Sequence, residues 1–535
     1  MKFKNSLLYL LGLLLVACGG GGGGSTAPAP SPAPPPAPAP SFPLPTTGKA
    51  SADSPIAAAC GGGSGTLYAN AEVEPWLAIH PSNPDILAGG WQQDRWGGGA
   101  ARATMSGVSL DGGQSWRRTL HPFSRCGGAT TGSAGDYERA SDPWVDFGPS
   151  GILYAMALAA SGATQQPGSV SAMLATRSLD NGQTWEPVQT LVRDTGSLFH
   201  DKNALTADPY HPAFVYGVWD RLDSVGNGPT LMARSQDAGA SWEPARAIYT
   251  PIQPGGVAQT IGNRIVAVAP GVLVNVFVEI DTVGGVSTNW VGVVRSTNNG
   301  QSWGTAVRIA EHRAVGTRDP QNASLLVRDG AILPSIAVGS NGRLWVSWHS
   351  AEPGGRHDRI VVATSDDGGI SWTAPRVVNQ RTDVAAFTPT LAAGRNGQVG
   401  LLHFDLREDT ADPSTLLASA WLLTSSDGIT WRETKVWGPV DLSQAPNARG
   451  YFLGDYMGLV ARGDRYQALL ALPQRDANNR TDVFLLNVTP ATTSQAVEAP
   501  RLRALSANAR AGVDALAQQR TQWALAQRRN APPER

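Results

Sequence analysis

The sequence predicts an all-β chain built as a β-propeller of seven sheets, followed by a C-terminal amphipathic helix. Three observations lead there. An eight-residue pattern recurs six times, short strand-like runs repeat in a fixed order between its copies, and both ends of the chain differ in composition from this repeated body.

The first copy of the octet reads Ser109-Leu-Asp-Gly-Gly-Gln-Ser-Trp116, and the others close on Trp185, Trp242, Trp303, Trp372 and Trp431. Successive tryptophans therefore stand 69, 57, 61, 69 and 59 residues apart, enough for four strands and their turns and longer than common helical repeats. Within a copy, Asp111 or its equivalent is placed to accept backbone N–H groups, Gly113 to take a positive φ, and the Trp to pack. In the fourth copy Asn298 replaces the Asp. In the sixth, Ser426 takes that place and Asp427 is displaced by one. Both departures predict looser turns.

Residues 76–79, 86–91, 103–109 and 117–120 supply four strand-like runs around the first octet. Equivalent openings at Trp144, Ala204, Ile265, Ile336, Pro389 and Met457 bring the total to seven sheets. The last, residues 456–488, has three strands and no octet, and a strand from before Glu74 is expected to complete it and close the ring.

At the N-terminus, Lys2 and Lys4 precede an apolar run over residues 7–16 that is too short to span a bilayer, so residues 1–17 read as a signal peptide of an exported protein. Leu15-Val16-Ala17-Cys18 resembles the bacterial lipobox, which implies acylation of Cys18 and attachment to a membrane surface; a cysteine placed there by chance is the alternative. Residues 18–48 are dominated by Gly, Pro, Ala and Ser and form a tether. The propeller is assigned to residues 49–490, a body within a chain that is 41% hydrophobic and holds 17 Trp. Residues 491–535 form the tail, with helical spacing over 502–528 and packing on the propeller rim as its simplest role.

Formal net charge is −1, or −3 once Lys2 and Lys4 leave with the signal, and no nucleic-acid partner is expected. In an oxidising compartment Cys60 and Cys126 are expected to join as a disulfide, two buried free thiols being the alternative. His121, His200, His349, His357 and His403 lack metal-ligand spacing, so no cofactor is expected. Acid clusters such as Asp405, Glu408 and Asp409 are candidates for Ca²⁺, against a solvated loop.

The repeated octet resembles the Asp box, or BNR repeat, of the sialidase (neuraminidase) superfamily. True sialidases have six blades, whereas the strand runs here favour seven. Asp boxes are scaffold and lie away from the family's active site, so the resemblance implies chemistry on the opposite face. There the loops bring acids, arginines and aromatics to one mouth. In sialidases an Arg triad holds the substrate carboxylate, a Tyr activated by a Glu is the nucleophile, and an Asp is the acid/base. The resemblance thus implies Tyr456 as nucleophile, Glu279 as its partner, and Asp136 or Asp142 as acid. Arg264, Arg139 and Arg449 are implied for the carboxylate, with Arg95 and Arg221 next. The family's Arg-Ile-Pro at the first inner strand is replaced by Glu74-Pro75-Trp76, which displaces one triad Arg.

The function so implied is an exo-acting glycosidase of sialidase type, a monomer anchored at the outer membrane or cell surface, cleaving sialic acid or a related acidic sugar from glycans. A non-catalytic propeller binding glycan or protein through the same face is the second reading. A hydrolase using two carboxylates on neutral polysaccharide is the third.

Overall fold

The computed structural model describes residues 45, 48–351, 355–394, 396–491, 497–499, 515–522 and 525, all within the compact unit formed by residues 42–535. The signal peptide, Cys18, most of the tether and most of residues 502–528 lie outside the described residues. Among those described, the chain is nearly all β, and no helix is long and apolar enough to cross a membrane.

The strands group into antiparallel sheets in sequence order. The first comprises Leu67–Ile79, Leu87–Trp96, Ala101–Ser109 and Arg117–Leu120, each strand pairing with its predecessor. Later sheets open with Arg139–Phe147, Phe199–Ala207, Val257–Ala269, Ser335–Val338, Ala386–Ala393 and Gly458–Arg462. These strands contain, or for Met457 directly follow, the expected openings. A single bridge, Ala101 to Ala140, joins the first two sheets into one eight-stranded path. The opening strands of consecutive sheets touch one another along the series, and Gly458–Arg462 also touches Leu67–Ile79.

The last sheet has three strands of its own. Residues 48–51 add to its outer edge: Ala50 N–H donates to Val483 C=O at 2.8 Å and Leu485 N–H to Gly48 C=O at 2.7 Å, while Lys49 and Ser51 both bond Asp482. Chain from before Glu74 thereby supplies the missing edge.

In the first octet Asp111 Oδ1 accepts from Gln114 N–H at 3.0 Å and Ser115 N–H at 2.9 Å, and Ser109 Oγ accepts Gly113 N–H at 2.8 Å. Gly113 adopts φ +97°. Hydrogen bonds from Ser115, its hydroxyl first and then its N–H, bring the Asp111 carboxyl down to about 2. The two departures do not loosen their turns. Asn298 Oδ1 accepts Ser302 N–H at 2.9 Å while its Nδ2 donates to Ser302 Oγ at 2.8 Å, and Gln301 N–H turns to the Asn298 backbone C=O at 3.1 Å in place of the side chain. The sixth turn is one residue shorter: Asp427 stands two after Ser425, as Asp111 does after Ser109, and accepts Ile429 and Thr430 N–H at 2.7 Å.

Cys60 and Cys126 form a disulfide with Cα atoms 5.7 Å apart.

Candidate functional site

The site originates in a backbone irregularity repeated at the mouths of the opening strands. Pairing slips between Val73 and Trp76, between Ser141 and Trp144, between Ile261 and Arg264, and between Phe387 and Thr390. A fifth slip falls opposite residues 201–204. The extra residue at each is left-handed: Glu74 at φ 55°, Asp142 at 52°, Lys202 at 48°, Gly262 at 70° and Thr388 at 52°. Bulges re-aim side chains, and non-glycine residues in this region cost about 1–3 kcal/mol each unless the surroundings hold them. Here an ion cluster joins Glu74, Asp142 and Lys202, while Thr388 donates its N–H to His349 Nε2 at 2.8 Å and its hydroxyl to Asp329 C=O at 3.0 Å.

Lys202 Nζ lies 2.6 Å from Asp455 Oδ2, 3.1 Å from Asp142 Oδ2 and 3.7 Å from Glu74 Oε1. Arg328 grips Asp455 with both Nη2 at 2.6 Å and Nε at 3.1 Å. Behind them Gln92 donates to Glu74 and to Ser141 Oγ, Ser141 Oγ donates to Asp142 at 2.7 Å, and Arg95 donates to Gln92 at 2.7 Å. Arg95 and Arg328 each stack on the Phe452 ring, at 4.9 and 4.4 Å. Glu74, Asp142 and Lys202 come from the opening strands of the first, second and third sheets, Asp455 from the segment leading into the seventh and Arg328 from the segment leading into the fifth.

This burial separates the acids in proton affinity. Desolvation pushes Glu74 up to about 8 despite the Lys202 ammonium, so it carries a proton at neutral pH. Burial acts on Asp455 in the same direction, but Arg328 and Lys202 outweigh it and hold that carboxyl well below its usual range. Because the folded state keeps the Glu74 proton that the unfolded chain has lost by pH 7, this group's stabilising contribution is present at low pH and disappears as pH rises through 8. Between pH 7 and 9 the wild type is expected to lose about 1.4 kcal/mol of stability that Glu74→Gln does not lose, read as urea midpoints at each pH. Glu72, also pushed up by burial, contributes alike to both proteins, so their difference isolates Glu74. Parallel pH profiles for the two would refute the assignment.

A pocket lies over the cluster. It is lined by Asp142, Asp201, Asp455 and Lys202 with five arginines, Arg95, Arg139, Arg328, Arg449 and Arg520. Its apolar wall comes from Leu158, Phe199, Ile261, Ile332 and Leu333. Arg95 and Arg139 are 2% and 5% exposed, and the Nε–H of each has no hydrogen-bond partner among the described residues. Lys202 and Asp455 also line a second cavity beneath, with Trp76, Trp144, Arg264 and Tyr456.

Of the residues expected from sequence, Asp142, Arg95, Arg139 and Arg449 meet in the upper pocket. Tyr456 lies one level below, edge-on to Trp76 and Trp144, donating to Pro143 C=O at 3.2 Å. Burial, and then Glu74 and the neighbouring acids, push its phenol well above 10, the opposite of an activated nucleophile. Arg264 stacks over Trp76 at 4.5 Å and Trp144 at 5.4 Å, away from the other arginines.

Three expected residues are elsewhere. Glu279 does not partner Tyr456: its carboxylate accepts Tyr249 Oη–H at 2.6 Å and pairs with Arg308, which also takes Asp281. Asp136 sits in an outer loop, bonded to Arg125 Nε at 2.6 Å and Gly132 N–H at 2.9 Å. Arg221 pairs at 3.6 Å with Asp194, which also meets His200. The acids considered for Ca²⁺ are matched with cations, Asp405 with Arg407 and Glu408 with Lys435, while Asp409 accepts Leu417 N–H.

Sequence reasoning placed Gln92, Lys202 and Asp455 on the charged face without giving them a role, missed Arg328, and took Glu74 only as a departure. A signal existed in the repeated strand openings Glu74-Pro75, Asp142-Pro143 and Thr388-Pro389, whose first residues are the bulge positions.

Asp329, His349 and Asp358 are close enough to invite a metal. His349 Nε2 accepts Thr388 N–H at 2.8 Å, which puts the ring proton on Nδ1, and Arg520 already bonds Asp329. The donor set suits a guanidinium better than an ion.

Residues 226–450 match the BNR repeat-like domain family, a stretch that holds the last four octets. That stretch is less than half of the chain. No curated protein matches the chain. Among solved structures, the chain is similar to the Hadza microbial sialidase Hz136, at 19% identity and TM-score 0.39, covering 63% of each chain. It thus spans less than two thirds of that sialidase. It is also similar to an α-L-arabinanase of Penicillium chrysogenum, at 16% identity and TM-score 0.39, covering 66% of this chain and 95% of the other. The leech intramolecular trans-sialidase is 13% identical at TM-score 0.40, covering 79% of this chain and 68% of the other.

Proposed function

We propose that the seven sheets close as a seven-bladed propeller and that the chain is an exo-acting glycosidase for sugars bearing a carboxylate, sialic acid or a related acid. Acylated Cys18 and the following tether would display it on the cell envelope. The observation that carries this reading is the upper pocket, where six cations surround two acids that share Lys202, and where the Nε–H groups of Arg95 and Arg139 lack partners. A planar carboxylate satisfies such donors bidentately, and neutral polysaccharide offers them nothing comparable.

In this reading Arg95, Arg139 and Arg449 hold the substrate carboxylate. Asp142 protonates the leaving oxygen, and ionised Asp455 faces the anomeric carbon. The two oxygens sharing Lys202 Nζ lie no more than about 5.7 Å apart, the arms of 2.6 and 3.1 Å laid end to end. That separation fits double displacement with retained configuration and is too short for a water between the acids, which needs about 6.5–9.5 Å. The Tyr456 phenol, held protonated, serves as a wall.

The test is release of fluorophore from a 4-methylumbelliferyl sialoside and a glucuronide by the purified protein. The wild type is expected to turn over one of them, Asp142→Asn and Asp455→Asn to lose about 10²–10⁴-fold, and Tyr456→Phe to stay within about tenfold. The binding-only reading is favoured by one feature, the neutralisation of the acids by Lys202. Calorimetric binding of an acidic glycan without turnover of either substrate would select it.

A further inference from the structure

The C-terminal helix reaches the wall of this pocket. Residues 515–522 are helical, and Arg520 is 4% exposed. Its Nη2 donates to Oδ1 of Asp329, a fully buried carboxylate that also accepts Thr317 N–H at 2.7 Å and Ala331 N–H at 3.2 Å. The residue after Asp329 is Gly330, at φ +62°, pressed so closely on Asp455 that a Cβ there would stand 2.3 Å from the Asp455 carbonyl oxygen. Two residues therefore separate the tail's guanidinium from the ionised acid that holds Lys202 and Arg328.

The body is shaped to receive this side chain. A Cβ on Gly316 would come within 2.6 Å of Arg520 Cδ, so the glycine leaves the slot open. On either side of Arg520, Gln518 bonds both the N–H and the C=O of Ser287, and Thr521 Oγ1 accepts Asn289 Nδ2–H at 2.7 Å. Leu525 joins the apolar core of the fourth and fifth sheets.

We propose that Arg520 is a positioning residue of the pocket: by holding Asp329 it fixes residues 329–333, the wall on which Asp455 is seated, and so makes the C-terminal helix part of the site. The inference rests on the reading of this pocket as the place where an acidic sugar is processed. Gly330, Ala331, Ile332 and Leu333 all line it, so their order is coupled to its shape.

Hydrogen exchange and turnover of Arg520→Ala, measured on the full chain, test the proposal. Exchange at residues 329–333 is expected to rise at least about tenfold while the first sheet stays protected, because a local tie is lost and global stability is not. On whichever umbelliferyl glycoside the wild type hydrolyses, kcat is expected to fall about 10–100-fold with KM changed less than about threefold, the pattern of misplaced groups. Millimolar guanidinium ion is expected to restore both protection and kcat. A second variant, Arg520→Ala with Asp329→Asn, removes the uncompensated buried charge, folds where the single variant does not, and is expected to show the same exchange at 329–333.

Unchanged exchange in that segment, or an increase spread evenly over every sheet, would overturn the proposal. Wild-type kcat in Arg520→Ala would do so as well. A wild type without glycosidase activity refutes the proposed function instead, and leaves the exchange and its guanidinium rescue to decide the role of Arg520.

Discussion

Replacing Lys202 with Met is expected to destabilise the folded chain by about 3–5 kcal/mol at pH 7, the usual cost of removing one partner from a buried ionic group. The ammonium faces three carboxylates that are 1–6% exposed, and among the described residues only Asp455 has a second cation within salt-bridge distance, Arg328. Without Lys202, Asp142 loses the one cation within salt-bridge reach of it among the described residues, so Lys202→Met with Asp142→Asn should recover much of the loss. Urea unfolding at pH 7 measures both. A loss below about 1 kcal/mol would mean that the cluster is solvated rather than buried.

The second large effect belongs to the disulfide. Cys60 and Cys126 close a loop across a sequence separation of 66 residues, worth about 4 kcal/mol in the chain-entropy description. Cys60→Ser with Cys126→Ser is expected to lower stability by that amount, and reductant to lower the wild type to the same level. The consequence extends to the pocket. Residues just after Cys60 hold the turn that lines it: Gly98 N–H donates to Ser64 C=O at 3.0 Å and Gly97 N–H to Thr66 C=O at 2.8 Å. Affinity for an acidic glycan should therefore fall with stability. An unfolding midpoint indifferent to reductant would refute the assignment.

The octets and the strand openings were legible because each is a local instruction. A Ser two residues before an Asp, with a Gly and a Trp behind, needs only its own backbone to form the turn, and for that reason Asp427 could shift its frame by one residue without loss. The second loop of each sheet and the crossover to the next sheet were likewise readable as carriers of acids and arginines. Which of them meet was not. Glu279 has the residue type and the strand position of a catalytic partner, yet Tyr249 from the third sheet and Arg308 from its own outer strand claim both its oxygens. Nothing along the strand could announce those neighbours.

The chain's own order of residues determined the repeating sheets, the turn chemistry, the odd last sheet awaiting an edge, and the presence of a charged face. Each depends on contacts within about one repeat, where covalent connection already brings the partners close. Only the tertiary structure decided that Glu74, Asp142, Lys202 and Asp455, separated by up to hundreds of residues, share one buried site, and that Arg520 from the tail braces its wall. Their proton affinities depend on burial and on charges from other sheets, quantities that exist only once those sheets have packed.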